Sequence, residues 1–449
     1  MAANPDSPTQ EADDGVLERF FHLREHGTNP RREVVAGGTT FLAMAYIVFV
    51  NPDILSAAGM DFGAVFVATC LAAAIGTLIM GLYAKLPIAQ APGMGLNAFF
   101  AFTVVLGMGI DWQTALAATF VSGVLFLILS LTGIRRVVID AIPMPMKLAV
   151  GAGIGLFIAF IGLQNAGIIV AYEATLVTLG DLGQGTVLLS VFGIVVTALL
   201  LVRGFRGAVF YGIIITAAAG VVAGLIDPPT GVVDTPPSIA PTLGEAFGRL
   251  PDLLSVELAV VVFTMLFVDF FDTAGTLIAV TNQAGLLDAD GRLPQGNRAL
   301  VADGVATIAG SGLGTSTTTS YIESSAGVGA GGRTGLTSVV TAGLFLLTLL
   351  FSPLLAVVTA NVTAPALVVV GVMMARGLGQ IDWNEMEIAI PAFVTVIAMP
   401  LTYSIAEGIA FGLVLFPLLM AVRGRHREVS PILAGLAVIF VAYFIWLGG

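Results

Sequence analysis

The chain has 449 residues, of which 57% are hydrophobic and only 10% are charged. Soluble domains carry about 25% charged residues, so this chain has too little polar surface to cover a globule in water, and we expect the lipid bilayer to be its solvent. Much of the net charge of -11 lies in the amino-terminal tail and in residues 227–252, a pattern of solvated segments that argues against nucleic-acid binding. The single cysteine, Cys70, can form neither an internal disulfide nor a zinc cluster, and we expect no metal and no cofactor.

Long apolar runs follow one another along the whole chain. A membrane-spanning helix needs roughly 20 apolar residues, because about 30 Å of hydrocarbon is crossed at 1.5 Å per residue. The sequence predicts fourteen spans at residues 33–50, 63–84, 88–109, 112–132, 144–165, 186–202, 207–226, 256–280, 297–311, 314–332, 334–352, 363–376, 386–401 and 404–422. A last apolar stretch, residues 431–447, is consistent either with a fifteenth crossing or with a helix that lies in the membrane interface.

Lysine and arginine are concentrated in alternate loops, which sets the orientation of the chain in the membrane. Arg31 and Arg32 precede span 1, and every even-numbered span is followed by a basic loop. The basic residues of those loops are Lys85, Arg135, Arg136, Lys147, Arg203, Arg206, Arg292, Arg298, Arg333, Arg376, Arg423, Arg425 and Arg427. We therefore expect these loops and the amino terminus to be cytoplasmic.

The chain divides into two halves of seven spans near the long loop of residues 227–255. The tetrapeptides LVRG and VFYG at residues 201–204 and 209–212 echo PLTY and IAFG at residues 400–403 and 409–412. Because seven is odd, the second half must insert upside down relative to the first, an arrangement typical of secondary transporters. The predicted fold is an all-α polytopic membrane protein whose fourteen segments form a 7+7 inverted repeat.

Spans 3 and 10 occupy matching places in the two halves, and both open with residues that form poor membrane helices. Span 3 opens with QAPGMG at residues 90–95, and span 10 opens with GSGLGTSTTTS at residues 310–320. Extended backbone at membrane depth must be buried in protein or line a cavity. Two such breaks in corresponding positions indicate the binding site of a transporter, whereas the alternative is a glycine-rich packing face between helices.

Three carboxylates within the spans are candidates for the chemistry. Asp269 and Asp272 lie three residues apart in span 8, on roughly one face of the helix, and Glu323 follows the break in span 10. A charged residue at the bilayer centre costs roughly 2.5–3.5 kcal/mol on insertion scales, so such residues are functional by default. The alternatives are helix capping and pairing with a buried cation, and neither span 8 nor span 10 contains a Lys or Arg.

Two further polar residues are weaker candidates. Asn97 occupies in span 3 the place that Glu323 occupies in span 10, and its amide can both donate and accept hydrogen bonds, although it could also cap the half-helix of span 3. Glu407 lies near the end of span 14, where a solvated or structural role is an equal alternative.

Four segments resemble the signatures of the AzgA-like purine permeases, members of the nucleobase–ascorbate transporter (nucleobase:cation symporter-2) superfamily. They are TTFLAMAYIVFVNP at residues 39–52, APGMGLNA at 91–98, DFFDTAGT at 269–276 and GTSTTTSYIESSAG at 314–327. The resemblance extends in order from about residue 31 to residue 422. It implies import of adenine, guanine or hypoxanthine by proton symport across a bacterial inner membrane and, commonly, association as a homodimer.

The resemblance also implies a core domain of spans 1–4 and 8–11 that alternates against a gate domain of spans 5–7 and 12–14. The expected division is a cytoplasmic tail (1–30), core (31–132), gate (133–226), extracytoplasmic loop (227–255), core (256–352), gate (353–422), and a basic loop with a terminal apolar helix (423–449). The base is expected between spans 3, 8 and 10, where the binding residues of the family fall on Asn97, on Asp269 or Asp272, and on Glu323.

The chemistry of a purine agrees with these residues. Guanine presents N1–H and N2–H side by side, which suits one carboxylate in a two-bond fork, and such charge-assisted bonds are stronger than neutral ones. Asn97 or the N–H groups of a half-helix would donate to the carbonyl oxygen of the base. The ring faces need apolar or aromatic walls, for which the nearby candidates are Phe41, Phe99, Phe271 and Tyr321.

Proton coupling is expected to involve Asp269, Asp272 and Glu323. Burial disfavours the charged form of a carboxylate, so an acid at mid-depth can take up a proton on one side of the membrane and release it on the other. Because the three histidines lie outside the spans, Asp269 or Asp272 is the expected carrier, while Glu323 holds the base.

Three other functions remain as alternatives. Transporters of small anions share this architecture by analogy, but an anion site would use two half-helix N-termini without an acid beside them. A permease for pyrimidine bases such as uracil is a second alternative. An intramembrane aspartyl protease would carry its aspartates on separate helices, whereas Asp269 and Asp272 share one, so we do not expect an enzyme.

Overall fold

The computed structural model describes residues 15–132, 143–253, 255–288 and 293–446. The predicted basic residues Arg135, Arg136 and Arg292, most of the amino-terminal tail and the last three residues lie outside the described residues. The side chain of Phe271 also lies outside this description, although its backbone belongs to the helix of span 8.

The described residues contain all fourteen predicted segments in the predicted order. The twelve continuous segments, in which a kink or a change of helix type is ignored, are Pro30–Ala57, Phe62–Ala84, Trp112–Thr132, Met144–Asn165, Gly185–Val202, Ala208–Val222, Val256–Ala284, Gly296–Leu313, Gly335–Val357, Ala360–Gln380, Met386–Thr402 and Ile405–Val422. Spans 3 and 10 are the two interrupted segments. Nine of the helices in the described part of the chain are long and apolar enough to cross a membrane by themselves, and the protein is a multi-pass membrane protein.

Span 3 and span 10 each consist of a short strand followed by a helix, as the breaks in the sequence predict. Strand β1 (Gln90–Pro92) precedes the helical stretch Met94–Gly107, and the span-10 strand (Thr318–Ser320) precedes the short helix Ser324–Gly329. Gly310–Leu313, which the sequence analysis assigned to the opening of span 10, instead forms the last turn of the span-9 helix. Only six residues of span 10 are α-helical, which is tolerable at membrane depth because protein surrounds them.

The two strands pair with each other in antiparallel orientation, with Ala91 opposite Thr319. On the outer edge of each strand, the hydroxyl group of one threonine forms two hydrogen bonds with the strand backbone. Thr77 of span 2 donates to the carbonyl oxygen of Gln90 (3.0 Å) and accepts from its N–H (2.9 Å). Thr307 of span 9 donates to the carbonyl oxygen of Thr318 (2.9 Å) and accepts from its N–H (3.2 Å).

These two threonines reveal the internal symmetry of the fold. Span 2 and span 9 are seven segments apart, as are spans 3 and 10, so equivalent residues make equivalent hydrogen bonds in the two halves. The antiparallel pairing means that the equivalent segments run in opposite directions. The 7+7 inverted repeat predicted from the sequence is therefore the observed architecture, and the paired strands lie at its centre.

Two features of the loops were not predicted. Residues between spans 5 and 6 form an antiparallel hairpin, in which strand β2 (Ile169–Tyr172) pairs with strand β3 (Leu176–Leu179); the strand of span 10 is accordingly β4. The loop between spans 7 and 8 contains a short helix, Glu245–Gly248, and a 3-10 turn, Leu250–Leu253. A helix, Val16–Phe21, precedes span 1.

The last apolar stretch forms the helix Pro431–Trp446, which packs along span 14. The ring of Phe440 contacts that of Phe263 in span 8, with 6.3 Å between the ring centroids. Span 14 ends beside the start of this helix, whereas Phe263 lies in the first third of span 8, which begins at the opposite side of the membrane. The contact favours a helix that rises across the apolar layer over one that lies in the interface.

Glu33, in the first turn of span 1, accepts hydrogen bonds from the beginning of span 11. Its side chain is completely buried. It accepts the backbone N–H groups of Arg333 (2.9 Å), Thr334 (3.3 Å) and Thr337 (3.1 Å), together with the hydroxyl groups of both threonines. The first N–H groups of a helix have no partner within that helix. The hydroxyl group of the N-cap Thr334 accepts from the N–H of Leu336, and Glu33 supplies from span 1 the acceptor for the N–H groups of Thr334 and Thr337.

Replacing Glu33 by Ala is expected to destabilise the folded protein by about 3 kcal/mol or more, because several buried donors lose their acceptor at once. The midpoint of thermal unfolding of the purified protein in detergent measures the effect. Glu173→Ala removes an exposed carboxylate in the β2–β3 loop and should leave the midpoint unchanged. Equal midpoints for both variants would show that the hydrogen bonds of Glu33 contribute nothing to stability.

Candidate functional site

A cavity of about 460 Å³ lies against the paired strands, and we call it the central cavity. Its volume falls within the range of roughly 300–1,000 Å³ that is typical of small-molecule sites. Segments 1, 3, 5, 8, 10 and 12 line it, through residues that include Tyr46, Gly93, Met94, Gly95, Leu96, Lys147, Ile154, Asp272, Gly275, Thr319, Ser320, Tyr321, Glu323, Val370 and Met374. The breaks in spans 3 and 10 therefore meet at a cavity, and an ordinary packing face does not account for them.

Two of the three predicted carboxylates face this cavity. Asp272 is exposed to it from span 8, and Glu323 is half-buried at the start of the span-10 helix. The hydroxyl group of Tyr46 donates to Oε1 of Glu323 over 2.6 Å. This bond leaves the other carboxylate oxygen free to accept from a ligand, and Tyr46 also holds the acid in position.

Tyr321 forms part of the cavity wall and is itself 5% exposed. Its hydroxyl group donates to the carbonyl oxygen of Pro92 over 2.5 Å, which ties span 10 to the end of strand β1. With its hydroxyl group occupied, Tyr321 presents ring surface to a ligand. Among the other aromatic candidates, Phe41 packs instead on Phe345, with 5.2 Å between the ring centroids.

The helix of span 3 begins at the cavity, and its first N–H groups therefore lie at the cavity wall. Its N-cap, Gly93, provides no side-chain hydrogen bond, and Met94, Gly95 and Leu96 all line the cavity. Such an uncapped N-terminus favours an acceptor atom of a ligand. A Cβ atom on Gly95 would lie 2.5 Å from Cγ2 of Ile154, so glycine allows span 3 to approach span 5 at this point.

Asn97 and Asp269 lie near the cavity but do not line it. Asn97 is completely buried, its Oδ1 accepts from the hydroxyl group of Ser316, and its Nδ2 has no hydrogen-bond partner among the described residues. Asp269 is 1% exposed, and its Oδ1 likewise has no partner within the described part of the chain. The expectation that Asp269 and Asp272 share a face holds only loosely, because Asp272 faces the cavity and Asp269 faces the protein interior.

Asp303, a fully buried carboxylate of span 9, was not among the predicted site residues. Its Oδ1 accepts from Nε2 of Gln90 (2.8 Å) and from the hydroxyl group of Ser320 (3.0 Å), and its Oδ2 accepts from the hydroxyl group of Thr273 (2.8 Å). Asp303 thus connects strand β1, strand β4 and span 8 behind the central cavity. The signal was present in the sequence, since Asp303 lies inside the predicted span 9.

Asp303→Asn is expected to destabilise the protein by about 2 kcal/mol or more, because three hydrogen bonds lose their charged acceptor and one amide N–H₂ group enters an acceptor position. Thermal unfolding in detergent measures this loss. The control is Asp227→Asn, which neutralises an exposed aspartate in the loop after span 7. If the two variants unfold at the same temperature, the two strands are held together without the charge of Asp303.

A positively charged side chain also reaches the cavity, from span 5. Lys147, in the first turn of span 5, lines the central cavity together with Asp272 and Glu323. The absence of Lys and Arg from spans 8 and 10 therefore does not leave the cavity without a positive charge. The contribution of Lys147 also shows that the cavity extends to the first turn of span 5.

The family profile and the similar proteins of known name are all permeases. The profile of a group described as the Permease family matches residues 31–411. The chain is 55% identical over 440 residues to Guanine/hypoxanthine permease PbuG of Bacillus subtilis (strain 168), covering 96% of this chain and 100% of that protein. It is 46% identical over 431 residues to Adenine permease AdeQ of Escherichia coli (strain K12), covering 96% of each chain.

A solved structure with the same fold is the transmembrane domain of a cyanobacterium bicarbonate transporter, BicA. The TM-score is 0.61, and the alignment covers 84% of this chain and 96% of that chain. Because the sequence identity is 14%, this likeness shows a shared fold and carries no information about the ligand.

Proposed function

We propose that this chain, which belongs to the Permease family, imports purine nucleobases by proton symport. The chain is a transporter rather than an enzyme. The observation that carries the proposal is the central cavity, in which two carboxylates and a free helix N-terminus meet where the two inverted halves are broken. The names of the relatives, guanine/hypoxanthine permease and adenine permease, support purines as the substrate class.

In the proposed complex, Glu323 accepts hydrogen bonds from the N–H edge of the base. The hydroxyl group of Tyr46 already holds Oε1, which fixes the orientation of the carboxylate before the base arrives. The N–H groups of Gly95 and Leu96 at the start of span 3 are placed to donate to an acceptor on the base, such as the carbonyl oxygen of guanine or hypoxanthine. Tyr321 and the aliphatic side chains of spans 5 and 12 cover the ring faces.

Of the two aspartates in span 8, Asp272 is the better candidate for the proton carrier. It faces the central cavity, where solvent can deliver and remove a proton, whereas Asp269 is buried behind it. Asp269 and Asp303 then have structural roles beside the site, as the hydrogen bond between Asp303 and Ser320 illustrates. Asn97 has a structural role as well, because its Oδ1 accepts from the hydroxyl group of Ser316. Proton symport needs a carboxylate that responds to the presence of the base, and Asp272 shares one cavity with Glu323.

The segments that surround the cavity support the proposal of alternating access. Spans 1, 3, 8 and 10, from the proposed core domain, supply the polar groups, whereas spans 5 and 12, from the proposed gate domain, supply mainly apolar surface. The cavity reaches the first turn of span 5, which the distribution of basic residues assigns to the cytoplasmic side. We therefore interpret this conformation as inward-facing. We place the protein in the inner membrane, with its amino terminus on the cytoplasmic side.

An anion transporter with the same fold remains the second candidate, because Lys147 brings a positively charged side chain to the wall of the central cavity. Glu323 and Asp272 in the cavity oppose an anionic substrate, although Lys147 offsets one of the two charges. A pyrimidine such as uracil also presents an N–H group beside a carbonyl oxygen, but it lacks the fused imidazole ring of a purine.

The test is uptake of labelled adenine, guanine, hypoxanthine, uracil and bicarbonate into cells that lack their own permeases, with and without a protonophore. The proposal expects concentrative uptake of at least one purine that the protonophore abolishes. Uptake of uracil alone would support the pyrimidine alternative. Uptake of none of the bases, with bicarbonate uptake above background, would replace the proposal by the anion transporter.

A further inference from the structure

A second cavity, of about 340 Å³, lies along the other half of span 3, and we call it the outer cavity. It is lined by six residues of span 3, by Val260 and Val261 near the start of span 8, and by residues 402–404, 406 and 407 where span 13 turns into span 14; the span-3 residues are Phe99, Phe102, Thr103, Leu106, Gly107 and Met108. Its volume also falls within the range of small-molecule sites. Leu106 and Met108, at its rim, are 55% and 38% exposed, so the cavity opens to the surface there.

The two cavities lie end to end along one path. The central cavity touches span 3 from Gly93 to Leu96, and the outer cavity touches it from Phe99 onward. Only Asn97 and Ala98, both completely buried, separate them on this segment, which is less than one helical turn. The two cavities are therefore adjacent along span 3, with less than one turn of buried helix between them.

The two cavities open at opposite ends of the molecule. The central cavity extends to Lys147, in the first turn of span 5. The outer cavity is bordered by Tyr403, whose hydroxyl group donates to Oε1 of Gln164, in the last turn of span 5, over 2.5 Å. Span 5 crosses the membrane between these two points, so the cavities face opposite sides of the bilayer.

The outer cavity contains the same kinds of groups as the central one. Glu407 places a carboxylate in it, and this carboxylate makes no hydrogen bond or ion pair with any residue that the structure describes. The backbone N–H of Glu407 is capped by the hydroxyl group of Ser404 (3.2 Å), which leaves the side chain free. Phe99, Phe102 and Tyr403 supply aromatic surface.

Tyr403 is held firmly in its place at the wall of this cavity. Its backbone has a φ of 57°, in the left-handed region that a tyrosine rarely adopts, and such conformations persist only where the surroundings impose them. The hydroxyl group of Thr103 donates to the carbonyl oxygen of Tyr403 over 3.1 Å. The tyrosine ring meets those of Phe102 at 5.9 Å and Phe157 at 5.2 Å.

We propose that the outer cavity is a second binding site for the transported base, in which Glu407 accepts hydrogen bonds from the N–H edge and Phe99, Phe102 and Tyr403 contact the ring. The proposal rests on the proposed transport of nucleobases. The outer site takes an uncharged planar heterocycle with N–H donors from the outer solution, and the base then passes along span 3 to Glu323. A free carboxylate beside aromatic rings suits such a ligand and repels an anion.

The test uses a thiol at the rim. Cys70, the single native cysteine, is completely buried, so Leu106→Cys provides one accessible thiol for a membrane-impermeant maleimide applied to whole cells. The rate of labelling is measured with and without saturating hypoxanthine and adenine. The same measurement is made after adding Glu323→Gln, which removes the carboxylate of the central site, or Glu407→Gln, which removes that of the outer site.

The proposal expects the base to slow labelling several-fold, in the Glu323→Gln background as well as in the single Leu106→Cys protein. Glu407→Gln should abolish this protection and raise the KM for uptake about tenfold with little change in kcat, while Glu407→Asp should restore part of the affinity. A purely structural role for Glu407 would instead lower kcat and the unfolding temperature, and that result would contradict the proposal.

Three other outcomes overturn the inference. Protection that disappears with Glu323→Gln and survives Glu407→Gln would mean that the base acts at the central site and alters the rim indirectly. Labelling that the base never slows, or a thiol that is not labelled from outside, would exclude an outer site. Uptake is measured in parallel in the native chain. If the native chain transports purines but the base does not slow labelling of the thiol, only the outer site is rejected. If the native chain takes up no purine, the proposed function itself is rejected.

Discussion

Glu323→Gln is expected to reduce kcat/KM for purine uptake by about 100-fold or more. A carboxylate that accepts two N–H groups is replaced by an amide that offers one acceptor and brings its own donors to the edge of the base. Hydrogen bonds to charged groups contribute about 1.5–3 kcal/mol each, so the loss of two amounts to at least about 3 kcal/mol, and each 1.4 kcal/mol corresponds to a factor of ten. Initial rates of uptake over a range of substrate concentrations measure the effect.

The matched variant is Tyr46→Phe, which removes only the hydroxyl group that positions Glu323. We expect a loss of about tenfold for Tyr46→Phe, because one neutral-to-charged hydrogen bond disappears while the acceptor for the base remains. Surface expression of both variants is compared with that of the native protein. If Glu323→Gln keeps native uptake while Tyr46→Phe loses it, the base binds elsewhere and Tyr46 has a role of its own.

The broken spans show why so much of the fold follows from the sequence. Glycine, proline and consecutive threonines cannot continue a membrane helix, and the antiparallel strands lie within the segments where these residues occur. The resemblance to the AzgA-like purine permeases is likewise confirmed, by the Permease family match and by the names of the relatives. Span ends were less predictable, since span 1 extends to Ala57 through a kink at Ala45 and Tyr46.

The orientation of side chains could not be predicted to the same degree. Residues three apart on a helix point about 60° away from each other, which is enough to place Asp272 in the cavity and Asp269 behind it. The choice depends on how span 8 is rotated against its neighbours, and that rotation is set by tertiary packing. For the same reason, the sequence could not show that Lys147 reaches the cavity from span 5.

Pairings between distant segments are the other part that the sequence did not provide. Glu33 and the beginning of span 11 are about 300 positions apart, and Asp303 meets Gln90 across 213 positions. A single sequence carries no record of such contacts. Asp303 could nevertheless have been found in the way that Asp269 was, because both are acids inside predicted spans. Glu33 is the first residue of predicted span 1, directly after Arg31 and Arg32, where a solvated carboxylate is the usual expectation.

Asp272→Asn is expected to abolish accumulation of purine while the exchange of purine across the membrane continues. Asparagine retains an acceptor and similar volume, but it cannot take up a proton, so the base still crosses without a proton. One proton moved through 100 mV supplies about 2.3 kcal/mol, which sustains a concentration ratio of about 50. The ratio of internal to external purine should therefore fall from about 50 in the native chain to about 1 in the variant, and the protonophore should then have no further effect.

Asp269→Asn is the comparison that decides between the two aspartates of span 8. Because Asp269 faces the interior and Asp272 faces the cavity, we expect Asp269→Asn to lower the unfolding temperature or the expression level while the molecules that fold still accumulate purine. Exchange of labelled for unlabelled purine, measured in vesicles without a proton gradient, reports the number of working molecules in each preparation. If accumulation per working molecule survives in Asp272→Asn and disappears in Asp269→Asn, the proton is carried by the buried Asp269 and not by the carboxylate that faces the cavity.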